Sequence, residues 1–180
     1  MSGHIAVIYA GDMAPVANVF AEAASHVATR VQTVHLDDDT TGGSSAPAAD
    51  IPLLEWADGI AFGTPSSSGT PAPALMKFLD SSERLWRSGR LYDKVVTVFT
   101  DQPQRMAPDS ILHPIYDALY RWGAVIIGPR DIDLPIEAQP RTPHGEPSAP
   151  ERAARYRAYR LSRLTSVIAE ERIRRESLQL

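Results

Sequence analysis

The sequence has no cysteine, which excludes disulfides, thiolate nucleophiles and cysteine-ligated metal sites. Lysine is scarce, with only Lys77 and Lys94, and the formal net charge of the chain is −4. A chain without a basic excess lacks the electrostatic footprint of nucleic-acid binding. We therefore expect no nucleic-acid partner.

Long apolar runs are also missing, since none approaches the roughly 20 residues that a helix needs to cross a bilayer. No signal peptide precedes the first apolar segment at residue 5. We therefore expect no membrane partner and a cytoplasmic location. No histidine and carboxylate cluster has the spacing of metal ligands, so no metal is expected.

The 180 residues are 43% hydrophobic and 22% charged, which is typical of a globular protein and predicts one domain over residues 1–180. Short, apolar and often β-branched segments predict five buried strands, at residues 5–9, 31–36, 58–63, 94–100 and 123–127. Between the strands, apolar residues recur at helical spacing. This alternation predicts an α/β three-layer sandwich with a five-stranded parallel sheet of order 2-1-3-4-5.

Two polar or proline-rich stretches, residues 37–50 and 131–150, lack periodicity and predict surface segments. Ser148 and Glu151 have the spacing of a capping box at the start of the last helix. The predicted apolar stripe of that helix consists of Leu161, Leu164, Val167 and Ile168. Its opposite, arginine-rich face is predicted to be solvated.

The loops that follow the first, third and fourth strands are the candidate functional region. Right-handed crossovers bring these loops together at the carboxyl edge of the sheet. Ligands of doubly wound sheets bind in the crevice at that edge, where the strand order reverses. The loops begin near Gly11, Pro65 and Thr100.

Several motifs in the middle of the chain resemble those of one family. FGTP at residues 62–65 is followed by Gly69, by FLD at residues 78–80 and by LWRSGRLYDK at residues 85–94, with TPHG later at residues 142–145. This pattern resembles the flavodoxin-like WrbA-type NAD(P)H:quinone oxidoreductases. The resemblance implies a flavodoxin-like fold, FMN as cofactor, NAD(P)H as electron donor, and quinones or related aromatic small molecules as substrates. It also implies a homo-oligomer, either a dimer or a tetramer.

The resemblance also implies which residues bind the cofactor and substrate. The cofactor residues are Gly11, Met13, Ala14 and Val16 in the first loop, Ser66, Ser67, Ser68 and Gly69 in the second, Thr100 and Asp101 in the third, and Trp122. The substrate residues are Trp86 and His144. Core packing is the alternative reading of both tryptophans, and a solvated turn is the alternative reading of the serine loop.

All three loops depart from the family pattern. The first loop has no hydroxyl between Ala10 and Val16, and Pro15 lacks a backbone donor. Asp12 places an anion where the FMN phosphate would bind, although a helix-capping role is an equal alternative. The second loop has three serines in place of a Thr-Arg-Phe run, and the third loop has no glycine.

These departures leave a second functional hypothesis open, in which the crevice is flavin-free and binds another small molecule. Asp12, Asp101 and Arg105 would then be the catalytic residues. Two carboxylates at one crevice raise the pKa of one of them and create a general acid or base. A surface ion pair between Asp101 and Arg105 is the structural alternative.

Overall fold

The computed structural model describes residues 3–36, 51–67, 69–101, 109–128 and 148–178. These contain a five-stranded parallel sheet formed by β1 (His4–Ala10), β2 (Arg30–Leu36), β3 (Gly59–Gly63), β4 (Val95–Phe99) and β5 (Val125–Ile127). The spatial order is β2-β1-β3-β4-β5, which confirms the predicted topology.

The described helices are α1 (Ala14–Ser25), α2 (Ile51–Trp56), α3 (Pro73–Ser81), α4 (Glu83–Arg87), α5 (Asp109–Arg121) and α6 (Ala149–Ser177). The short α4 lies in a stretch that the sequence predicted as a loop. Pro15 lies in the first turn of α1, as predicted, because the missing proline N–H has no intrahelical partner at that position.

The central strands are buried on both faces, as their continuous apolar sequences predict. On one face, Ile8 belongs to a core with side chains from α2, α3 and α5, including Leu54, Phe78 and Leu119. On the other face, Val7 packs in a core that includes Phe20 of α1 and Leu161 of α6. This arrangement is the predicted three-layer sandwich.

The buried face of α6 differs from the predicted stripe. Leu161 is buried, but Leu164 and Val167 are 39% and 62% exposed. The face that packs inward is instead made largely of small residues, namely Ala154, Ala158, Ser162, Thr165 and Ala169. Small side chains let α6 approach α1 and the sheet closely, which rotates the bulkier Val167 towards solvent.

The capping box at the start of α6 is confirmed. The Ser148 backbone N–H donates to the Glu151 carboxylate at 2.7 Å, and the Glu151 N–H donates to the Ser148 hydroxyl at 3.5 Å. The first of these bonds lowers the pKa of Glu151. Residues 37–50, residues 131–147 of the predicted segment 131–150, and Ser68, Arg105 and His144 lie outside the described residues. The last two residues of that segment, Ala149 and Pro150, belong to α6. Within the described ranges, no helix has the length and apolarity to span a bilayer.

Candidate functional site

The loops after β1 and β3 meet at the carboxyl edge of the sheet. Gly11 has a φ of +61°, and a Cβ added to it would lie 3.1 Å from Cγ of Pro65. Glycine is therefore required here both by the backbone conformation and by the close approach of the second loop. The predicted first and second loops are adjacent.

The second and third loops are joined by Ser66 and Asp101. Oδ1 of Asp101 accepts hydrogen bonds from the Ser66 backbone N–H at 2.8 Å and from the Ser66 hydroxyl at 2.6 Å. Ser66 is buried and Asp101 is half-buried. The sequence predicted both residues in the crevice but did not predict their contact, which commits the Ser66 hydroxyl to a protein partner.

Thr64 shapes the same loop and was missed from the sequence. Its buried hydroxyl accepts a hydrogen bond from the Ala72 N–H at 2.9 Å, just before α3 begins. Its own N–H donates to the Phe99 carbonyl at 3.1 Å. The loop between Thr64 and Ala72 is therefore closed on itself and anchored to the end of β4. A threonine directly after a buried strand was the available signal.

The amino-terminal end of α1 offers few donors to an anion. The Met13 N–H donates to the Gly11 carbonyl at 2.8 Å, and Pro15 has no N–H. In the first turn this leaves the N–H groups of Ala14 and Val16 without an intrahelical acceptor. The α1 cap residue is Met13, and no side chain caps the helix, so the capping role considered for Asp12 is wrong.

FMN fits this set of residues poorly at its phosphate end. The described first loop has no side-chain hydroxyl. The Met13 N–H donates to a carbonyl within the loop, Pro15 has no N–H, and the exposed Asp12 adds a negative charge. Beside it, Ser67 is exposed, and a Cβ on Gly69 would meet nothing within 4 Å, so there is room next to the second loop. The described part of the crevice therefore lacks a cradle for a phosphate.

Trp86 and Trp122 lie at the other edge of the sheet. They line a groove of about 470 Å³ near the amino-terminal ends of β4 and β5, together with Tyr92 and Tyr120. Trp122 is only 2% exposed and packs edge-to-face against Phe62, with ring centroids 5.8 Å apart. Trp122 is therefore packed in the core, and the roles of Trp122 in cofactor binding and of Trp86 in substrate binding stay predictions.

A charged cluster at the amino edge was missed from the sequence. Lys94 is 4% exposed, and its ammonium donates to the carbonyl of Glu55 at 2.8 Å and to that of Ala57. Burial lowers the pKa of Lys94 to about 8. Asp58 accepts from the His4 N–H at 3.0 Å and pairs with Arg172.

Burial alone would raise the pKa of Asp58, but the His4 hydrogen bond and Arg172 outweigh it, so the pKa lies below the usual value.

The arginines of α6 were predicted to be solvated, but Arg157 is not. Arg157 is 4% exposed and donates to the Val98 carbonyl at 3.0 Å. This bond fastens α6 to β4 close to the crevice.

Curated relatives with similar sequences share one description. The chain is 35% identical over 83 residues to an NAD(P)H dehydrogenase (quinone) of Syntrophus aciditrophicus, covering 46% of this chain and 41% of the relative. A protein of the same description from Deinococcus radiodurans is 31% identical over 100 residues, covering 55% and 50%. The chain resembles the WrbA-type oxidoreductases. It spans about half the length of the curated relatives it matches.

Solved structures confirm the flavodoxin-like fold. A WrbA-like flavodoxin from Agrobacterium tumefaciens has a TM-score of 0.64 at 19% identity, covering 91% of this chain and 98% of that one. The flavoenzyme FerB from Paracoccus denitrificans, an NAD(P)H:(acceptor) oxidoreductase, has a TM-score of 0.59 at 12% identity, covering 93% and 98%. No protein-family model matches the chain. Within the described residues of this protein, no group of three His, Asp or Glu side chains is placed to hold a metal ion.

Proposed function

We propose that this chain acts as an NAD(P)H:quinone oxidoreductase-like protein on quinones or related aromatic small molecules, with the crevice after β1, β3 and β4 as its site. The sequence similarity to NAD(P)H dehydrogenases (quinone) carries the proposal. The position of the crevice supports it, because the three loops meet at the carboxyl edge where such sheets bind ligands.

FMN is the cofactor that the family implies, and hydride chemistry between NAD(P)H and a quinone would belong to that cofactor. In this chain, the contact between Gly11 and Pro65 forms one side of the crevice. The hydrogen bond between Ser66 and Asp101 forms the other side. We expect FMN to be loosely held and exchangeable rather than permanently bound.

A second candidate function is a flavin-free enzyme or binding protein that uses the same crevice. The internal bond from Met13 to Gly11 and the exposed Asp12 favour it, because both work against an anionic cofactor. Asp12 and Asp101 would then supply carboxylates to the ligand, and Arg105 stays a predicted third member of that set.

The absorption spectrum of the purified protein, before and after incubation with FMN and gel filtration, separates the two functions. Flavin bands at roughly 370 and 450 nm, which are properties of the cofactor, are expected after incubation together with NAD(P)H-dependent reduction of a quinone. A colourless protein without quinone turnover, even in excess FMN, would overturn the oxidoreductase and leave the flavin-free function.

A further inference from the structure

We propose that the crevice binds the uncharged ring of a flavin or quinone and discriminates against the terminal phosphate of FMN at the amino-terminal end of α1. This inference rests on the proposed function, because it concerns the same crevice. It states that the protein binds the ring of a flavin or quinone without using the phosphate of FMN as an anchor. The relevant ligand class is therefore uncharged quinones and dephosphorylated flavins.

The first observation is the loss of donors at α1. A flavin phosphate carries a charge of about −1.5 to −2 near pH 7 and needs several N–H or O–H groups around it. Here the Met13 N–H already donates to Gly11 at 2.8 Å, and Pro15 cannot donate. Two N–H groups, those of Ala14 and Val16, are what the first turn retains.

The second observation is the sign of the charge around the crevice. Asp12 is exposed on the first loop, and Asp101 lies half-buried at the end of β4. Among the described residues of the loops after β1, β3 and β4, these two carboxylates are the only charged side chains. The nearby Arg157 of α6 is buried, and its guanidinium donates to the Val98 carbonyl. Both carboxylates repel a phosphate and leave an uncharged ring unaffected.

The third observation concerns the second loop. The hydroxyl of the buried Ser66 donates to Asp101 at 2.6 Å. The loop is thus held in place by a protein carboxylate. Ser67 is exposed and Gly69 borders open space, so the loop presents a small, uncharged surface beside the crevice. Such a surface accommodates a flat ring.

Fluorescence titration of the full chain with riboflavin and with FMN tests the proposal, because the two probes share one ring and differ by the phosphate. Riboflavin is expected to bind at least as tightly as FMN. Asp12→Asn should tighten FMN about fivefold, the effect of removing one solvent-screened charge, and leave riboflavin within about twofold. Asp80→Asn is the matched control, since it removes an exposed charge from α3 and should leave both affinities unchanged.

A variant that restores the missing donors gives the converse test. Asp12→Ser combined with Pro15→Ala adds a hydroxyl and an N–H, and should shift the affinity ratio roughly tenfold or more towards FMN. Wild-type protein that binds FMN more than about twofold tighter than riboflavin would overturn this inference and leave the proposed function standing. Failure of both flavins to bind would overturn the inference too, while quinone reduction in the same samples reports separately on the proposed function.

Discussion

Oδ1 of Asp101 accepts two hydrogen bonds from Ser66, at 2.8 Å from the backbone nitrogen and 2.6 Å from the hydroxyl. Asp101 directly follows Thr100 at the end of β4, and Ser66 lies in the loop after β3. One carboxylate oxygen therefore holds together two of the three loops that form the crevice. The geometry of the site depends on this contact more than on any other side-chain bond described there.

Replacing Asp101 should destabilise the protein in a graded way. Asp101→Ala removes the acceptor of both bonds and should lower the free energy of unfolding by about 1.5–3 kcal/mol, as expected for bonds to a charged group. Asp101→Asn keeps an acceptor oxygen and should lose about half as much or less. Urea unfolding measures both. Asp80→Ala on the exposed face of α3 is the control, and equal stability of all three variants would contradict the role assigned to this bond.

Lys94 should make stability rise with pH above 8. The folded-state pKa of Lys94 is about 8 and the usual lysine value is 10.5, so between these values the unfolded chain binds more protons than the folded chain. Stability then increases as the pH rises through this window, by at most about 3 kcal/mol. Lys94→Met should remove that increase, whereas Lys77→Met, at an exposed lysine, should retain it. Parallel stability profiles for wild type and Lys94→Met would show that the burial has no such effect.

Asp58 should contribute to stability at neutral pH and lose that contribution in acid. Its pKa is lower in the folded state, so the contribution is complete above the usual value of 3.8 and disappears as the pH falls through the folded-state value. Asp58→Asn should cost on the order of 1 kcal/mol near pH 7 and flatten the acid limb of the stability profile. Asp117→Asn on α5 is the exposed control. An unchanged acid limb in Asp58→Asn would contradict this assignment.

Gly63 should not tolerate even one methyl group. A Cβ at Gly63 would lie 2.6 Å from the Phe99 ring and 2.8 Å from Cβ of Tyr9. Phe99 is buried and stacks on Phe20 with ring centroids 5.0 Å apart, so moving its ring would disturb the core. Gly63→Ala should therefore cost about 1–3 kcal/mol of unfolding free energy. Gly128→Ala, where nothing lies within 4 Å, should change the melting temperature little, and equal effects of both would refute the steric explanation.

The sheet was predictable because its strands are short, apolar and separated by helical patterns. Residues 5–9 and 58–63 lack alternation, which indicates burial on both faces, and both are central strands in the structure. The face of α6 was predicted incorrectly for a related reason. Hydrophobicity predicted that Val167 would be buried, but the structure buries Ala158 and Thr165, because small side chains allow close packing. For this helix, side-chain size predicts the buried face better than hydrophobicity does.

The candidate site was only partly predictable. Its location follows from topology, so Gly11, Ser66 and Asp101 were placed correctly at adjoining loops. Ser66 and Asp101 lie 35 residues apart in sequence, in loops that follow two different strands. Their hydrogen bond depends on how these two loops are oriented, and no local sequence pattern predicts that. Lys94 gave no signal either, because its partners are the backbone carbonyls of Glu55 and Ala57.

The most direct test of the proposed function is quinone-dependent oxidation of NADH and NADPH, measured with and without added FMN in wild type and in Ser67→Trp. Ser67 is exposed on the second loop, so the bulky ring should obstruct the crevice without disturbing the core. Asp117→Trp on α5 controls for the added bulk. We predict turnover that requires added FMN, is lost in Ser67→Trp and is retained in Asp117→Trp. Absence of turnover in wild type under every condition, or equal turnover in Ser67→Trp, would contradict the crevice as the site of an oxidoreductase.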